Sequence, residues 1–151
     1  KLFNLHLDPW IPDSILKKTG ALTPEEKEII NSHTILGGHI LEYFTSIEGI
    51  REGALCHHER YDGYGYPNKI KGQDIPVCAR IIGVADAYDA MSSDRCYRAK
   101  LPKDVILQEL KGNSGSQFDP VYVKHMINMM EDGTAERIQL EKVQGVDITI
   151  L

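Results

Sequence analysis

The sequence predicts one all-α domain. Apolar residues recur at helical spacing in several segments, a clear helix-start signal precedes the longest of them, and only the last residues alternate as a strand would. The chain has 151 residues, of which 42% are hydrophobic. That composition is enough to bury one core without disulfides. We therefore expect a single domain over residues 1–151.

The first long helix is predicted over residues 24–45. Thr23 is placed to be its N-cap, Pro24 occupies the first helical position, and Glu26 completes a capping box. The apolar positions that follow at helical spacing are Ile29, Ile30, Ile35, Leu36, Ile40, Leu41 and Phe44. The pair Gly37-Gly38 interrupts this pattern, and we expect a neighbouring element to pack closely there.

Four shorter helices are predicted after it, at residues 50–59, 78–92, 102–111 and 120–131. The first two of these are separated by residues 61–76, which are rich in glycine and proline. That composition excludes a regular helix, and the length is typical of a functional loop. The tail, residues 139–151, alternates in part and is predicted to be a short strand or an extended arm.

The charge balance restricts the classes of partner. The 22 acidic and 17 basic residues give a net charge of −5, which argues against a general nucleic-acid-binding surface. No segment approaches the roughly 20 consecutive apolar residues of a membrane span. The 3 cysteines are widely spaced and odd in number, which fits a reducing, cytoplasmic compartment. Because the chain begins without Met or a signal peptide, we expect it to be part of a longer protein.

Three histidines are candidate metal ligands. His57 and His58 fall at the predicted end of the second helix, where adjacent side chains point about 100° apart. Such a pair can serve two neighbouring ions, or one histidine can bind while the other orients it; a solvated helix end is the alternative. His33 lies near the apolar side of the first helix, where a histidine of the core is the alternative to a ligand.

Two carboxylates add to this set. Asp86 and Asp89 are three residues apart and therefore share one face of an otherwise apolar helix. A buried carboxylate needs a cation, a metal or several hydrogen bonds, and a salt bridge to Arg80 or Arg95 is the alternative to a metal. Three imidazoles with a carboxylate suit Fe, Mn or Zn better than Mg or Ca.

A basic cluster follows in the chain. Arg95, Arg98, Lys100 and Lys103 succeed one another without an intervening acidic residue. Arg95 and Arg98 are three apart, and guanidinium groups bind phosphate in a two-pronged fashion. The alternative is a solvated, charged helix end.

The run from His57 to Pro67, which reads His-His-Glu-x-x-Asp-Gly-x-Gly-Tyr-Pro, resembles the signature of the HD-GYP domain, a bacterial branch of the HD metal-dependent phosphohydrolases. The resemblance continues at matching spacing in residues 11–16, 22–26, 75–76, 79–81, 84–90, 95–98 and 118–120. It implies an HD-type helical bundle in which residues 61–76, hereafter the GYP loop, connect two helices. It also implies hydrolysis of cyclic di-GMP with two or three divalent metal ions, usually iron or manganese.

The resemblance also implies roles for individual residues. The family's metal ligands match His33, His57, His58 and Asp86. Its substrate-binding positions match Gly65, Tyr66, Arg95 and Arg98. Asp89 matches an acidic residue of the catalytic site that lies near the metals without binding them.

The N-terminal segment departs from the family pattern. The family has a consecutive His-Asp pair, followed by Gly and Lys, just upstream of Ile-Pro-Asp. Here Asn4 and Leu5 occupy the positions of the pair, and Asp8 occupies the position of the Lys.

Two explanations of this departure stay open: a degenerate, catalytically silent domain, or residues missing from the N-terminal part of the sequence. A silent domain would bind cyclic di-GMP or a partner such as a diguanylate cyclase (GGDEF) domain. An upstream sensor or receiver domain is a further expected partner. A third hypothesis is a phosphohydrolase of the HD type that acts on another phosphodiester.

Overall fold

The computed structural model describes residues 11–16, 18, 20–94 and 99–144. All regular elements in this part of the chain are helices, so the predicted all-α fold is confirmed. The α-helices are α1 (Asp13–Leu16), α2 (Pro24–Ile40), α3 (Ile50–Cys56), α4 (Val77–Ser92), α5 (Lys103–Gly112), α6 (Pro120–Glu131) and α7 (Thr134–Gln144). Short 3₁₀ helices lie at Leu41–Tyr43 and Gly72–Asp74.

Helix α2 begins at the predicted capping box. The Thr23 hydroxyl accepts a hydrogen bond from the Glu26 N–H at 3.3 Å, and the Glu26 carboxylate accepts one from the Thr23 N–H at 2.7 Å. The prediction that this helix continues to residue 45 is wrong. The chain tightens into the 3₁₀ turn Leu41–Tyr43, closed by a bond from Phe44 N–H to Leu41 O, and the Phe44 side chain is left exposed.

Replacing Thr23 with Ala is expected to lower the free energy of unfolding by about 1 kcal/mol, because the Glu26 N–H loses its acceptor. The corresponding fall in Tm is about 3 °C for a chain of this size. Thermal denaturation followed by far-UV circular dichroism measures it, with Thr23→Ser as the matched control that keeps the hydroxyl. The prediction is contradicted if Thr23→Ala matches the wild type or if Thr23→Ser is equally destabilised.

Helix α3 packs against the double glycine of α2, as predicted. A Cβ at Gly38 would lie 3.3 Å from the Leu55 side chain, and one at Gly37 would lie 3.5 Å from Ala54 Cβ. The helix ends at Cys56 rather than at residue 59, because a tight turn forms in which Glu59 N–H donates to Cys56 O at 2.9 Å. The residues that follow α3 therefore lie in a turn and not in a helix.

The main hydrophobic core lies among α4, α5, α6 and α7, and its buried side chains are Val84, Tyr88, Ile106, Leu110, Phe118, Val123, Met130 and Ala135. An ion pair of 2.6 Å between Arg80 and Asp119 connects α4 to the start of α6, where Asp119 also caps the helix by accepting from Val121 N–H. A smaller cluster of Cys56, Ile75 and Ala79 lies between α3, α4 and the GYP loop.

The prediction for the tail is wrong where the structure describes it. Residues 139–144 belong to α7, and not to a strand or an extended arm. Helix α7 forms because Asp132 accepts from Thr134 N–H at its start and Ala135 is buried in the main core. Residues 145–151 lie outside the described part. None of the described helices is both long and apolar enough to cross a membrane.

Candidate functional site

Three imidazoles come together between α2 and α3. His33 lies on α2, and His57 and His58 lie in the turn after α3. One potential ligand nitrogen from each ring lies within 4.8 Å of the other two. Because α3 ends early, the two adjacent rings do not diverge as they would on a helix; their centroids are only 4.2 Å apart.

The orientation of two of these rings directs one nitrogen of each toward the other ring. The Nδ1 atom of His33 lies 2.6 Å from Ile30 O, and that of His57 lies 2.8 Å from Ala54 O, so each Nδ1–H donates to a backbone carbonyl. Each Nε2 is then an acceptor, and the two Nε2 atoms are 3.3 Å apart. Two lone pairs that face each other at this distance repel unless a cation lies between them. The arrangement therefore fits a metal ion.

Burial keeps His57 and His58 neutral. His57 is 7% exposed, and desolvation lowers its pKa. Burial, with the neighbouring His57 and His33, lowers the pKa of His58 to about 3. Neutral imidazole is the form that binds metals. A solvated helix end, the alternative interpretation of this pair, is wrong.

Asp86 approaches the histidines from α4. It lines a cavity of about 150 Å³ together with His57 and His58, and its charge acts to raise the pKa of His57 against the larger effect of burial. Its carboxylate is not one of the atoms that lie within 4.8 Å of one another. Three imidazoles with a carboxylate nearby form a donor set that suits transition metals.

The backbone contact that brings α4 to the histidines requires a glycine. A Cβ at Gly83 would lie 2.8 Å from the His57 carbonyl oxygen, which is closer than side chains tolerate. Arg80, one of the alternative salt-bridge partners for Asp86, pairs instead with Asp119 on the wall of the same cavity.

Tyr66 covers one face of the histidine group. Its ring stacks on that of His58, with centroids 5.0 Å apart and an angle of 29° between the planes. The Tyr66 N–H also donates to His58 O at 3.2 Å. Burial, with a smaller contribution from Asp86, raises the pKa of Tyr66 well above its usual value. Its hydroxyl therefore keeps its proton at neutral pH and can donate a hydrogen bond.

Gly65 allows the GYP loop to lie directly on the turn that holds the histidines. A Cβ at this position would lie 2.5 Å from Glu59 Cα and 2.6 Å from His58 O, and closer still to Arg60 N. No side chain larger than hydrogen fits there without movement of backbone.

A second set of contacts holds the start of the loop. The Arg60 guanidinium donates to both Asp62 carboxylate oxygens, at 3.0 and 2.6 Å, and to Gln117 Oε1 at 3.3 Å. The Asp62 N–H donates to Ser116 O at 2.8 Å. These bonds join the loop to the segment between α5 and α6.

The remaining predicted site residues are elsewhere or outside the described part. Asp89 lies on the wall of a second cavity, of about 230 Å³, between α4, α6 and α7. Arg95 and Arg98 lie outside the described residues, as do Asn4, Leu5 and Asp8 of the N-terminal departure. The roles of all these residues stay predictions.

One buried residue of the site was not predicted. Glu59 is 7% exposed and lines the same cavity as Asp86. The sequence offered one signal for this residue: Glu59 directly follows the two histidines and belongs to the same motif. A sequence does not show whether a charged residue beyond a helix end is buried.

Comparison with known proteins identifies the family. The HD domain family profile matches residues 10–121. A "Cyclic di-GMP phosphodiesterase" of Thermotoga maritima is 41% identical over 126 residues, covering 82% of this chain and 34% of that protein. The "Cyclic di-GMP phosphodiesterase response regulator RpfG" of Xanthomonas campestris is 39% identical over 138 residues, covering 89% of this chain and 34% of that protein.

Other relatives carry a different name. A "3'3'-cGAMP-specific phosphodiesterase 2" of Vibrio cholerae is 36% identical over 132 residues, covering 86% of this chain and 25% of that protein. The crystal structure of a cyclic GMP-AMP specific phosphodiesterase of V. cholerae aligns with a TM-score of 0.62 at 23% identity, over 84% of this chain and 28% of that one. This chain thus spans a quarter to a third of the length of these curated relatives. It belongs to the HD domain family, in its HD-GYP branch.

Proposed function

We propose that this domain is a metal-dependent phosphodiesterase that hydrolyses cyclic di-GMP to pGpG, to GMP, or to both. The observation that carries the proposal is the pair of Nε2 atoms of His33 and His57, which face each other at 3.3 Å beside His58 and Tyr66. Relatives named as cyclic di-GMP phosphodiesterases support the substrate class.

The proposal assigns a metal-binding, substrate-binding or supporting role to each site residue. His33, His57, His58 and Asp86 hold the metal ions, two or three in number and iron or manganese in identity. Bound metal ions would supply Lewis acidity. They would also lower the pKa of a bound water, so that hydroxide is available to attack phosphorus. The Tyr66 hydroxyl donates to the substrate, Arg95 and Arg98 hold its phosphates, and Gly65 lets the GYP loop lie on the turn that holds the histidines. Asp89, which lines the second cavity, supports the site as an acidic residue that does not itself bind metal.

A second candidate substrate follows from the comparisons. Relatives at 36% and 33% identity are named 3'3'-cGAMP-specific phosphodiesterases. Both dinucleotides contain a guanine and two phosphodiester bonds, and therefore both belong in any assay of this domain.

A silent binding module is the alternative to an enzyme. It is motivated by Asn4 and Leu5 at the positions of the His-Asp pair.

We further propose that residues 1–151 form one cytoplasmic domain of a longer protein, with a diguanylate cyclase domain and a sensor or receiver domain as partners.

The test is anaerobic incubation of the full-length protein with Fe(II) or Mn(II) and either cyclic di-GMP or 3'3'-cGAMP, with products separated by chromatography. We expect pGpG or GMP from cyclic di-GMP. Binding without any product would favour the silent module. Cleavage of 3'3'-cGAMP alone would contradict cyclic di-GMP as the substrate.

A further inference from the structure

Glu59 is a buried carboxylate that the proposed metal centre does not use. It is 7% exposed, lies directly after the two histidines and lines the same cavity as Ile75 and Ala79. Burial of a carboxylate is unfavourable unless its oxygens are hydrogen-bonded or solvated. The contacts of its two oxygens therefore indicate what the residue does.

One oxygen holds the GYP loop. Glu59 Oε1 accepts a hydrogen bond from the Asn68 N–H at 2.6 Å, which is a short bond. Asn68 lies two residues beyond Tyr66, and on the other side Tyr66 N–H donates to His58 O at 3.2 Å. Residues 57–59 are hereafter the histidine turn. The two bonds join Tyr66 and Asn68 of the loop to His58 and Glu59 of this turn.

The other oxygen of Glu59 makes no such bond. Glu59 Oε2 is buried and has no hydrogen-bond partner among the described residues. Glu59 lines the cavity of about 150 Å³ together with Arg80 and Asp86. A polar cavity of this size has room for water molecules. Water in the cavity can therefore solvate the Glu59 side chain while Oε1 binds the loop.

We propose that Glu59 is a positioning residue, which holds the GYP loop against the histidine turn through Asn68 N–H and so keeps Tyr66 stacked on His58. Its catalytic consequence rests on the proposed function, whereas the loop contact does not. The contact requires a hydrogen-bond acceptor and not a charge. A Gln side chain supplies that acceptor, and an Ala side chain does not.

The first measurement is hydrogen–deuterium exchange of the loop in the full-length protein. We expect exchange in residues 62–72 to be about tenfold faster in Glu59→Ala and close to wild type in Glu59→Gln, since only the first loses the bond. Glu131→Ala removes an exposed carboxylate at the end of α6 and is the matched control. Wild-type protection of the loop in Glu59→Ala would overturn the proposal.

The second measurement is turnover of cyclic di-GMP with metal content determined in parallel. We expect kcat/KM to fall about tenfold in Glu59→Ala, with metal content unchanged and with rescue in Glu59→Gln. In a Tyr66→Ala background, adding Glu59→Ala should lower kcat/KM little further, because both changes act through the Tyr66 side chain. The positioning role would be overturned if the two losses of kcat/KM multiply in the double variant, or if Glu59→Gln loses metal.

These two measurements separate the two proposals. If the wild type hydrolyses neither dinucleotide, the proposed function fails. The exchange experiment still decides whether Glu59 holds the loop.

Discussion

Replacing His57 with Ala is expected to abolish both metal retention and hydrolysis. The His57 ring is buried, its Nδ1–H is held by Ala54 O, and its Nε2 faces that of His33 at 3.3 Å. Changes in residues that merely orient metal ligands weaken metal affinity by 10- to 100-fold, so loss of a ligand itself is expected to cost at least about 100-fold. Turnover should fall in parallel.

Metal content by elemental analysis and dinucleotide turnover measure this effect. His125→Ala is the matched control, because His125 is an exposed histidine on α6. Far-UV circular dichroism checks that His57→Ala folds, since the change also leaves Ala54 O without its donor. Unchanged turnover in a folded His57→Ala protein would contradict the metal-centre assignment.

Replacing Gly65 with Ala is expected to cost both stability and activity. The added Cβ would lie 2.5 Å from Glu59 Cα and 2.6 Å from His58 O, both of them backbone atoms that no rotamer change can move. The loop must therefore shift by about 1 Å, and a misplacement of that size can cost about 100-fold in rate. The strain should lower the free energy of unfolding by about 3 kcal/mol.

Turnover and thermal denaturation of Gly65→Ala measure both effects. Gly112→Ala is the matched control, because Gly112 ends α5 and a Cβ there would meet nothing within 4 Å. Metal content should stay at the wild-type level, since no ligand is removed. Wild-type turnover in Gly65→Ala would contradict the contact between the loop and the histidine turn as the structure shows it.

The starts of the helices could be predicted because their chemistry is local. Thr23, Pro24 and Glu26 specify the first turn of α2 within four residues, and Asp119 with Pro120 does the same for α6. The ends were less predictable. Phe44 continues the apolar pattern of α2 in the sequence, yet the chain tightens before it and the side chain is exposed.

The identity of the candidate ligands could also be predicted, but their geometry could not. His33, His57 and His58 were recognised by residue type and by the motif around them. Their convergence depends on α3 ending at Cys56, which turns two adjacent rings toward a third that lies 24 residues earlier in the chain. Periodicity instead predicted two divergent rings on a helix.

The sequence by itself determined the helical class, the helix starts, the family resemblance and the residue types of the candidate metal site. The tertiary structure alone decided where α2 and α3 end, that residues 139–144 are helical, and that Glu59 is buried under the GYP loop. The physical reason is the range of the interactions. Caps and spacing act within a few residues, whereas the bond from Asn68 to Glu59 and the close contacts at Gly65 and Gly83 exist only once separate segments have packed together.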